Sequence, residues 1–325
     1  MLKLLRDRDI RKENLFAKDV LAGLSKHPKH LSSKYFYNDR GDELFQEIMH
    51  LPEYYPTKCE YEILNANKAE FLKVFPHDNF FQLIDLGAGD GLKTTLLLEY
   101  FLEQHVDFEF TPIDISQNAI DKLVEKIHIK LPQLRTSGIA TDYFEALNRL
   151  KERKNVKKVV LFLGSNIGNF QRKEAVGFLY KLHKSLNKGD LLLIGFDLKK
   201  DPRTIMCAYD DNKGITAAFN YNLLIRMNDE LDANFILSQF SHAPSYCPET
   251  GELKSFIISK CKQTVKIGRL HKTFHFEPWE AILTEYSNKY DLGGIESMAK
   301  ESGFEMIKNY FDKKCFFTDS LWRVK

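Results

Sequence analysis

No segment of the sequence approaches the ~20 consecutive apolar residues that a helix needs to cross a bilayer, which argues against a membrane span. The opening stretch, MLKLLRDRDIRKEN, becomes strongly charged after five residues and lacks the apolar core of a secretory signal. An excess of one charge is also missing. Lys+Arg number 47 and Asp+Glu 45, a net charge of +2, so the totals offer no basic surface for nucleic acid or for an acidic membrane. Cysteine is scarce, odd in number and scattered (Cys59, Cys207, Cys247, Cys261, Cys315). With no CxxC pair and no Cys/His cluster at ligand spacing, neither a metal site nor a disulfide framework is implied, and reduced thiols in a cytoplasmic protein are expected. Internal repeats and low-complexity linkers are absent too, so domain borders have to come from pattern. What remains is an ordinary globular composition, 43% hydrophobic and 28% charged, in a chain long enough for one or two domains.

Residues 11–75 read mainly as helices punctuated by turn signals at His27-Pro28, Asn38-Asp39-Arg40-Gly41 and Tyr55-Pro56. From residue 80 the rhythm changes. Phe80–Leu86, Phe108–Asp114, Val156–Leu163 and Asp190–Phe196 are short apolar runs, as expected of strands buried on both faces. Helical stretches at Thr94–Phe101, Asn118–Ile129 and 171–186 separate them. Strands alternating with helices of this length predict crossover units and a parallel sheet. After Asp197 the alternation stops: 199–235 reads as helical and 250–285 as antiparallel strands (Ser255–Ser259, Gln263–Ile267, Phe274–Phe276). Helical 290–302 and a strand-like tail at 305–324 have the pattern of a return to the sheet. The expected organisation is a parallel-sheet domain at 61–198 with 287–325, and a second α+β lobe from 1–60 with 199–286.

Asp85-Leu86-Gly87-Ala88-Gly89-Asp90-Gly91 stands where a buried strand gives way to a helix, and glycines there let the backbone turn sharply and approach a ligand. The spacing is GxGxG, not the GxGxxG that suits a pyrophosphate on a helix N-terminus, and the acid Asp85 precedes it. Asp114 closes the next strand, where a carboxylate accepts hydrogen bonds from both hydroxyls of a ribose. Asp142-Tyr143 falls at the end of the third crossover unit, where an acid and an aromatic ring suit an adenine. Together Asp85, Gly87, Gly89, Asp114, Asp142 and Tyr143 favour S-adenosylmethionine over NAD. Taken as unlinked residues, the same acids read as helix caps or surface charges.

Several further segments, in order along nearly the whole chain, carry a resemblance: Tyr35–Gly41, Leu51–Thr57, Leu163–Phe170, Ala208–Asp211, Gly214–Asn220 and Thr284–Ser287. Together they resemble the histidine-specific methyltransferase family, which includes the histidine Nα-methyltransferase of ergothioneine biosynthesis. The resemblance implies a Rossmann-like class I methyltransferase sheet with a substrate-binding lobe, S-adenosylmethionine as cofactor, and Nα-methylation of a free amino acid up to the trimethyl product. It places cofactor contacts on Gly87, Lys93, Asp114 and Asp142-Tyr143. Amino-acid contacts fall on Tyr37, Tyr54, Gly164, Asn169, Tyr209, Glu285 and Ser287. By the same resemblance the tyrosines and the asparagine hold the α-carboxylate and α-amino group, while Glu285 and Ser287 hold the imidazole. One position departs: family members often have Met where this chain has Ser255, on the imidazole side.

The same residues can be read physically. Glu285 and Ser287 are two apart, so on a strand they face one side. A carboxylate against an imidazole N–H makes a charge-assisted hydrogen bond, and an analogue without that N–H leaves the carboxylate unpaired. Singly, the tyrosines read equally as core aromatics, Asn169 as the cap of a helix beginning near Arg172, Lys93 as a solvated helix residue and Glu285 as a strand-edge charge. The expected chemistry is in-line displacement by a neutral amine, resting on proximity and alignment. Gly164, through its carbonyl, and Asn169 are the candidates for orienting the nitrogen lone pair, with Tyr37 beside them, and no residue is compelled to act as general base. The expected partners are a small-molecule amino acid and no nucleic acid, membrane or metal, in a monomer. The alternatives are a related enzyme for another, aromatic amino acid, a nucleic-acid or protein methyltransferase, a cofactor-binding regulator without turnover, and an NAD-linked dehydrogenase.

Overall fold

The computed structural model describes residues 15–76, 79–150 and 156–325; the charged opening segment, residues 1–14, lies outside them. Contacts divide the chain into two compact units, Tyr55–Lys200 with Asn288–Lys325, and Met1–Tyr54 with Asp201–Ser287.

In the first unit, strands β1 (Phe81–Leu86), β2 (Phe108–Asp114), β3 (Arg135–Thr136), β4 (Ile139–Ala140), β5 (Lys157–Phe162), β6 (Leu191–Asp197), β7 (Phe304–Phe311) and β8 (Phe317–Val324) belong to one sheet. Its order is β7-β8-β6-β5-β1-β2-β3, with β4 pairing β2 further along the same edge. β1 lies parallel between β2 and β5, so the strand order reverses at its carboxyl end, the place where open α/β sheets bind ligands. The tail does return to the sheet: β8 pairs antiparallel with β6, and β7 pairs antiparallel with β8. The helices are α1 (Tyr55–Val74), α2 (Leu92–Glu103), α3 (Gln117–Lys130), α4 (Tyr143–Leu150), α5 (Arg172–Ser185) and α6 (Leu292–Ser302). The border drawn from pattern at residue 61 falls inside α1, which stays whole within this unit.

The strands are near-continuous apolar runs because both faces are covered. Leu83, Leu161 and Leu193 pack on one side with Ile63 and Phe71 of α1 and Leu97 of α2. Ile84, Val160 and Ile194 alternate to the other, against Phe178 of α5 and Met298 of α6. Burying each such side chain stabilises by about 1.5–3 kcal/mol. The half-exposed Arg172–Glu301 ion pair contributes about 0–1 kcal/mol, so the two apolar layers hold the sheet.

The second unit has helical residues 15–24, a 3-10 turn at Ser33–Phe36, and helices Asp39–Met49, Pro202–Tyr209 and Ile215–Leu231. Their core gathers Phe36, Phe219, Leu223, Met227 and Ile257. The expected helical stretch 199–235 is therefore broken. Asp211 accepts from the amides of Ile215 (3.0 Å) and Thr216 (2.7 Å), and Gly214 turns with φ +72° to start the second helix. Strands Lys29–His30, Ala281–Tyr286, Glu252–Ser259 and Phe240–Cys247 form a sheet in that order, and Gln263–Ile267 pairs with Lys272–Phe276 in a separate hairpin. Phe240–Cys247 is a strand that pattern missed. Pro244 interrupts its sequence, and a proline is tolerated because the strand lies at the sheet's edge. No described helix is long and apolar enough to cross a membrane, and the described residues contain no group of three or more His, Cys, Asp and Glu that could hold a metal.

Candidate active site

β1 passes into α2 through the glycine turn. Gly87 has φ +80°, and its amide donates to Ile113 O at 2.7 Å. A Cβ at Gly87 would lie 2.5 Å from Asn166 Nδ2 and 2.7 Å from Tyr143 Oη, closer than atoms approach. Gly89 is different: a Cβ there would meet nothing within 4 Å, and its amide donates to Asp114 Oδ2 at 3.0 Å. The other oxygen of Asp114 accepts the Ser116 amide at 3.0 Å. Burial raises the pKa of this carboxyl, and the amides only partly offset it. Each oxygen keeps a second lone pair, so Asp114 can still accept from a pair of hydroxyls.

Asp142 and Tyr143 also serve the local fold. Asp142 Oδ1 accepts the amides of Phe144 (2.9 Å) and Glu145 (3.0 Å) and caps α4. The Tyr143 ring packs edge-on against Phe162 at 5.2 Å and against Phe178 at 5.7 Å, with its hydroxyl beside Gly87. Burial, and then the charges of Asp114 and Asp85, push the phenol pKa up.

Beneath the turn lies a cluster of buried charge. Asp85 is 2% exposed and accepts from Thr94 Oγ1, tying β1 to α2. Burial raises its carboxyl to about 7, against the lowering effects of Thr94 and Lys93. Lys93 is not a solvated helix residue: its ammonium pairs with the fully buried Glu60 of α1. Glu60 also accepts the Gly164 amide, at 2.8 Å on Oε1 and 2.9 Å on Oε2. Burial alone would lower the Lys93 pKa, but Glu60 and Asp85 raise it. Asp319 of β8 is fully buried beside them, its carboxyl against that of Glu60. Burial and the Glu60 charge hold it protonated well above the usual carboxylate range.

The turn after β5 carries the other expected residues. Gly164 takes φ +73° and Ser165 +55°, and Asn166–Asn169 forms a 3-10 turn. Asn169 does not cap the next helix. Gln171 does, in a capping box with Glu174. Asn288 clamps the turn: its amide donates to Gly168 O at 2.8 Å and its side chain to Phe170 O at 2.7 Å.

In the second unit, Tyr37 meets Phe45 (ring centroids 5.7 Å), Phe45 meets Tyr54 (6.3 Å), and Tyr54 meets Tyr209 (6.3 Å). The Tyr209 hydroxyl lies 2.7 Å from Ser287 Oγ. Tyr37, Tyr54, Tyr209 and Ser287 thus belong to one continuous run through Phe45. Ser255, fully buried, donates to Glu285 Oε2 at 3.2 Å across the ladder that pairs the two residues. A register shift falls between Leu283 and Glu285, and Ser287 lies one residue past the strand, its amide still donating to Leu253 O at 2.9 Å. The shift precedes both residues: beyond it Glu285 pairs with Ser255 and Tyr286 with Lys254, and the Ser287–Leu253 bond continues that register.

Residues 16–324 match the family described as histidine-specific methyltransferase, SAM-dependent. The chain belongs to that family. It is 33% identical over 304 residues to a histidine N-alpha-methyltransferase of Mycobacterium tuberculosis, covering 94% of this chain and 93% of the relative. It is 34% identical over 295 residues to the histidine N-alpha-methyltransferase of Mycolicibacterium smegmatis, with coverages of 91% and 90%. Ergothioneine biosynthesis protein 1 of Schizosaccharomyces pombe is 29% identical over 287 residues, 86% of this chain and 37% of that longer protein.

This methyltransferase is an S-adenosylmethionine-dependent enzyme. The residues at the carboxyl ends of β1 and β2 suit such a cofactor, with a glycine turn open at Gly89 and a carboxylate able to accept at the end of β2. Sequence reasoning missed Glu60, Asn166, Asn288 and Asp319. For Glu60 a signal existed: it shares a helix stripe with the buried Pro56, Ile63 and Leu64, where a charge is out of place. Asp319 likewise interrupts the continuously buried strand Phe317–Leu321.

Proposed function

We propose that this methyltransferase acts on the α-amino nitrogen of free L-histidine, carrying it to the trimethylated betaine as a step of ergothioneine biosynthesis. The reading rests above all on Glu285, a half-buried carboxylate whose Oε2 accepts from Ser255. It is supported by the activity named for the two mycobacterial relatives and the pathway named for the fission-yeast one. Glu285 and Ser287 take the imidazole; Tyr37, Tyr54 and Tyr209 supply hydroxyls to the α-carboxylate and α-amino group. Gly87, Gly89, Lys93, Asp114, Asp142 and Tyr143 are assigned to the donor, with Asp85 fixing their turn from below. The cofactor supplies a methyl group activated by a positive sulfur. The amine lone pair forms the new C–N bond as the C–S bond breaks and its electrons return to sulfur, giving S-adenosylhomocysteine; the ammonium proton leaves to solvent before the next transfer. Gly164 and Asn169 on the turn after β5 are assigned the orientation of that lone pair. The five unpaired thiols support a cytoplasmic location.

The test is methyl transfer from labelled donor to a panel of free amino acids that includes tryptophan. Product from histidine with the highest kcat/KM is expected. Product from another amino acid and none from histidine overturns the substrate. Donor binding with no product from any amino acid would make the chain a regulator.

A further inference from the structure

The chain passes between its two units three times, at Tyr54–Tyr55, Lys200–Asp201 and Ser287–Asn288. Within the first unit, a side chain at or next to each passage ends on the same group, the carboxylate of Asp197 at the carboxyl end of β6. The Tyr55 hydroxyl lies 2.9 Å from Oδ1 and 2.8 Å from Oδ2. The Lys200 ammonium pairs with Oδ1 and also donates to the Tyr55 oxygen at 2.9 Å. The Lys289 ammonium lies 2.9 Å from Oδ2. Asp197 and Lys289 side chains are fully buried and that of Lys200 is 5% exposed. The backbone of Asp197 joins in, its amide donating to Ser165 Oγ at 3.1 Å and its carbonyl accepting the Tyr290 amide at 2.9 Å.

Two buried ammonium groups meeting one carboxylate make an arrangement in which the carboxylate cannot be spared. Burying charges is costly, and removing the shared partner leaves two like charges unscreened at close range. The residues one step beyond the passages include Tyr54 and Ser287. Asp201, beyond the second, caps the helix that carries Tyr209. We infer that Asp197 is a positioning residue, a single carboxylate that holds all three passages of the chain and thereby fixes the starting points of the segments bearing Tyr54, Tyr209 and Ser287. The inference rests on the proposed function only for the identity of those three residues as acceptor contacts.

Two measurements test it on the full-length protein. Hydrogen exchange is followed at amides near residues 55, 200 and 289 in Tyr55→Phe, which removes one donor and keeps the charges, and in Asp197→Asn. Faster exchange is expected at all three places from either substitution, although they are far apart in sequence. Acceleration confined to the substituted segment overturns the shared anchor, whatever the substrate proves to be. In initial rates, Tyr55→Phe should raise the amino-acid KM about five- to tenfold while the donor KM stays within twofold, and equal rises in both would remove the positioning role. Should Asp197→Asn not fold, Tyr55→Phe decides the matter alone. If the wild-type protein turns over no histidine, the proposed substrate has failed and the exchange pattern still judges the anchor.

Discussion

Replacing Glu285 with glutamine keeps the shape of the side chain and removes its charge. An oxygen remains to accept from Ser255, which now donates at 3.2 Å to Oε2, so the local strand pairing should survive. What is lost is the charge-assisted hydrogen bond to an imidazole N–H, because with its one oxygen held by Ser255 the amide turns its NH2 to the ring. Hydrogen bonds to charged groups contribute about 1.5–3 kcal/mol, and half-burial of Glu285 places this one toward the middle of that range, about 2 kcal/mol. At 1.36 kcal/mol per factor of ten, KM for histidine should rise about thirtyfold. The donor KM should hardly move, because the contact removed is assigned to the amino acid alone. The assay is initial-rate transfer from labelled S-adenosylmethionine, varying histidine at saturating donor and then the reverse, with calorimetric Kd values beside it because KM equals Kd only when chemistry is slow. A histidine KM unchanged within twofold, or a donor KM that climbs in step with it, would refute the imidazole contact.

Ser255→Ala removes a single 3.2 Å donor from the same carboxylate; a severalfold change in histidine KM with stable folding is expected, and none at all would make Ser255 a passive neighbour. Gly87→Ala forces φ +80° on a residue with a Cβ 2.5 Å from Asn166 Nδ2, so calorimetry should find donor affinity reduced at least about tenfold given the steric and backbone cost. Lys93→Met strands the buried Glu60 charge, and breaking a buried pair costs about 3–5 kcal/mol; a large drop in Tm together with weaker donor binding is expected, and an unchanged Tm would contradict the pairing. Asp85 titrates near 7 in the folded chain against an ordinary 3.8, so the folded state keeps this proton longer than the unfolded one. Its contribution is level below about pH 4 and turns against folding as pH rises from about 4 to 7, by on the order of 4 kcal/mol. Asp85→Asn should therefore flatten part of the denaturation-versus-pH curve in that window, and identical slopes in both proteins would oppose the assignment.

Much of the sheet was legible because its signals are local. A strand covered on both faces must be apolar throughout, and β1, β5 and β6 announce themselves that way, as do the glycine turn after β1 and the acid that ends β2. Where local chemistry competes, pattern fails. Phe240–Cys247 hides behind Pro244, and the break between Tyr209 and Ile215 depends on Asp211 capping the following helix. The site residues divide along the same line. Gly87, Asp114 and Glu285 stand at strand ends, where position along the chain already states their surroundings. Asp142 and Tyr143 stand there too, and what pattern did not state is that one also caps a helix and the other's ring packs among phenylalanines.

The chain's order of apolar runs, glycines and acids was sufficient by itself for a doubly wound sheet, a cofactor turn and a family resemblance, since each depends on neighbours a few residues apart. Only the tertiary structure could reveal Glu60 between Lys93 and Gly164, 33 and 104 positions away, Asp319 buried beside it, Ser255 donating to Glu285, and Asp197 meeting Tyr55 across 142. A buried charge is tolerated only where its partners converge in space, and convergence of groups so distant in sequence is created by the folding of the sheet and its helices.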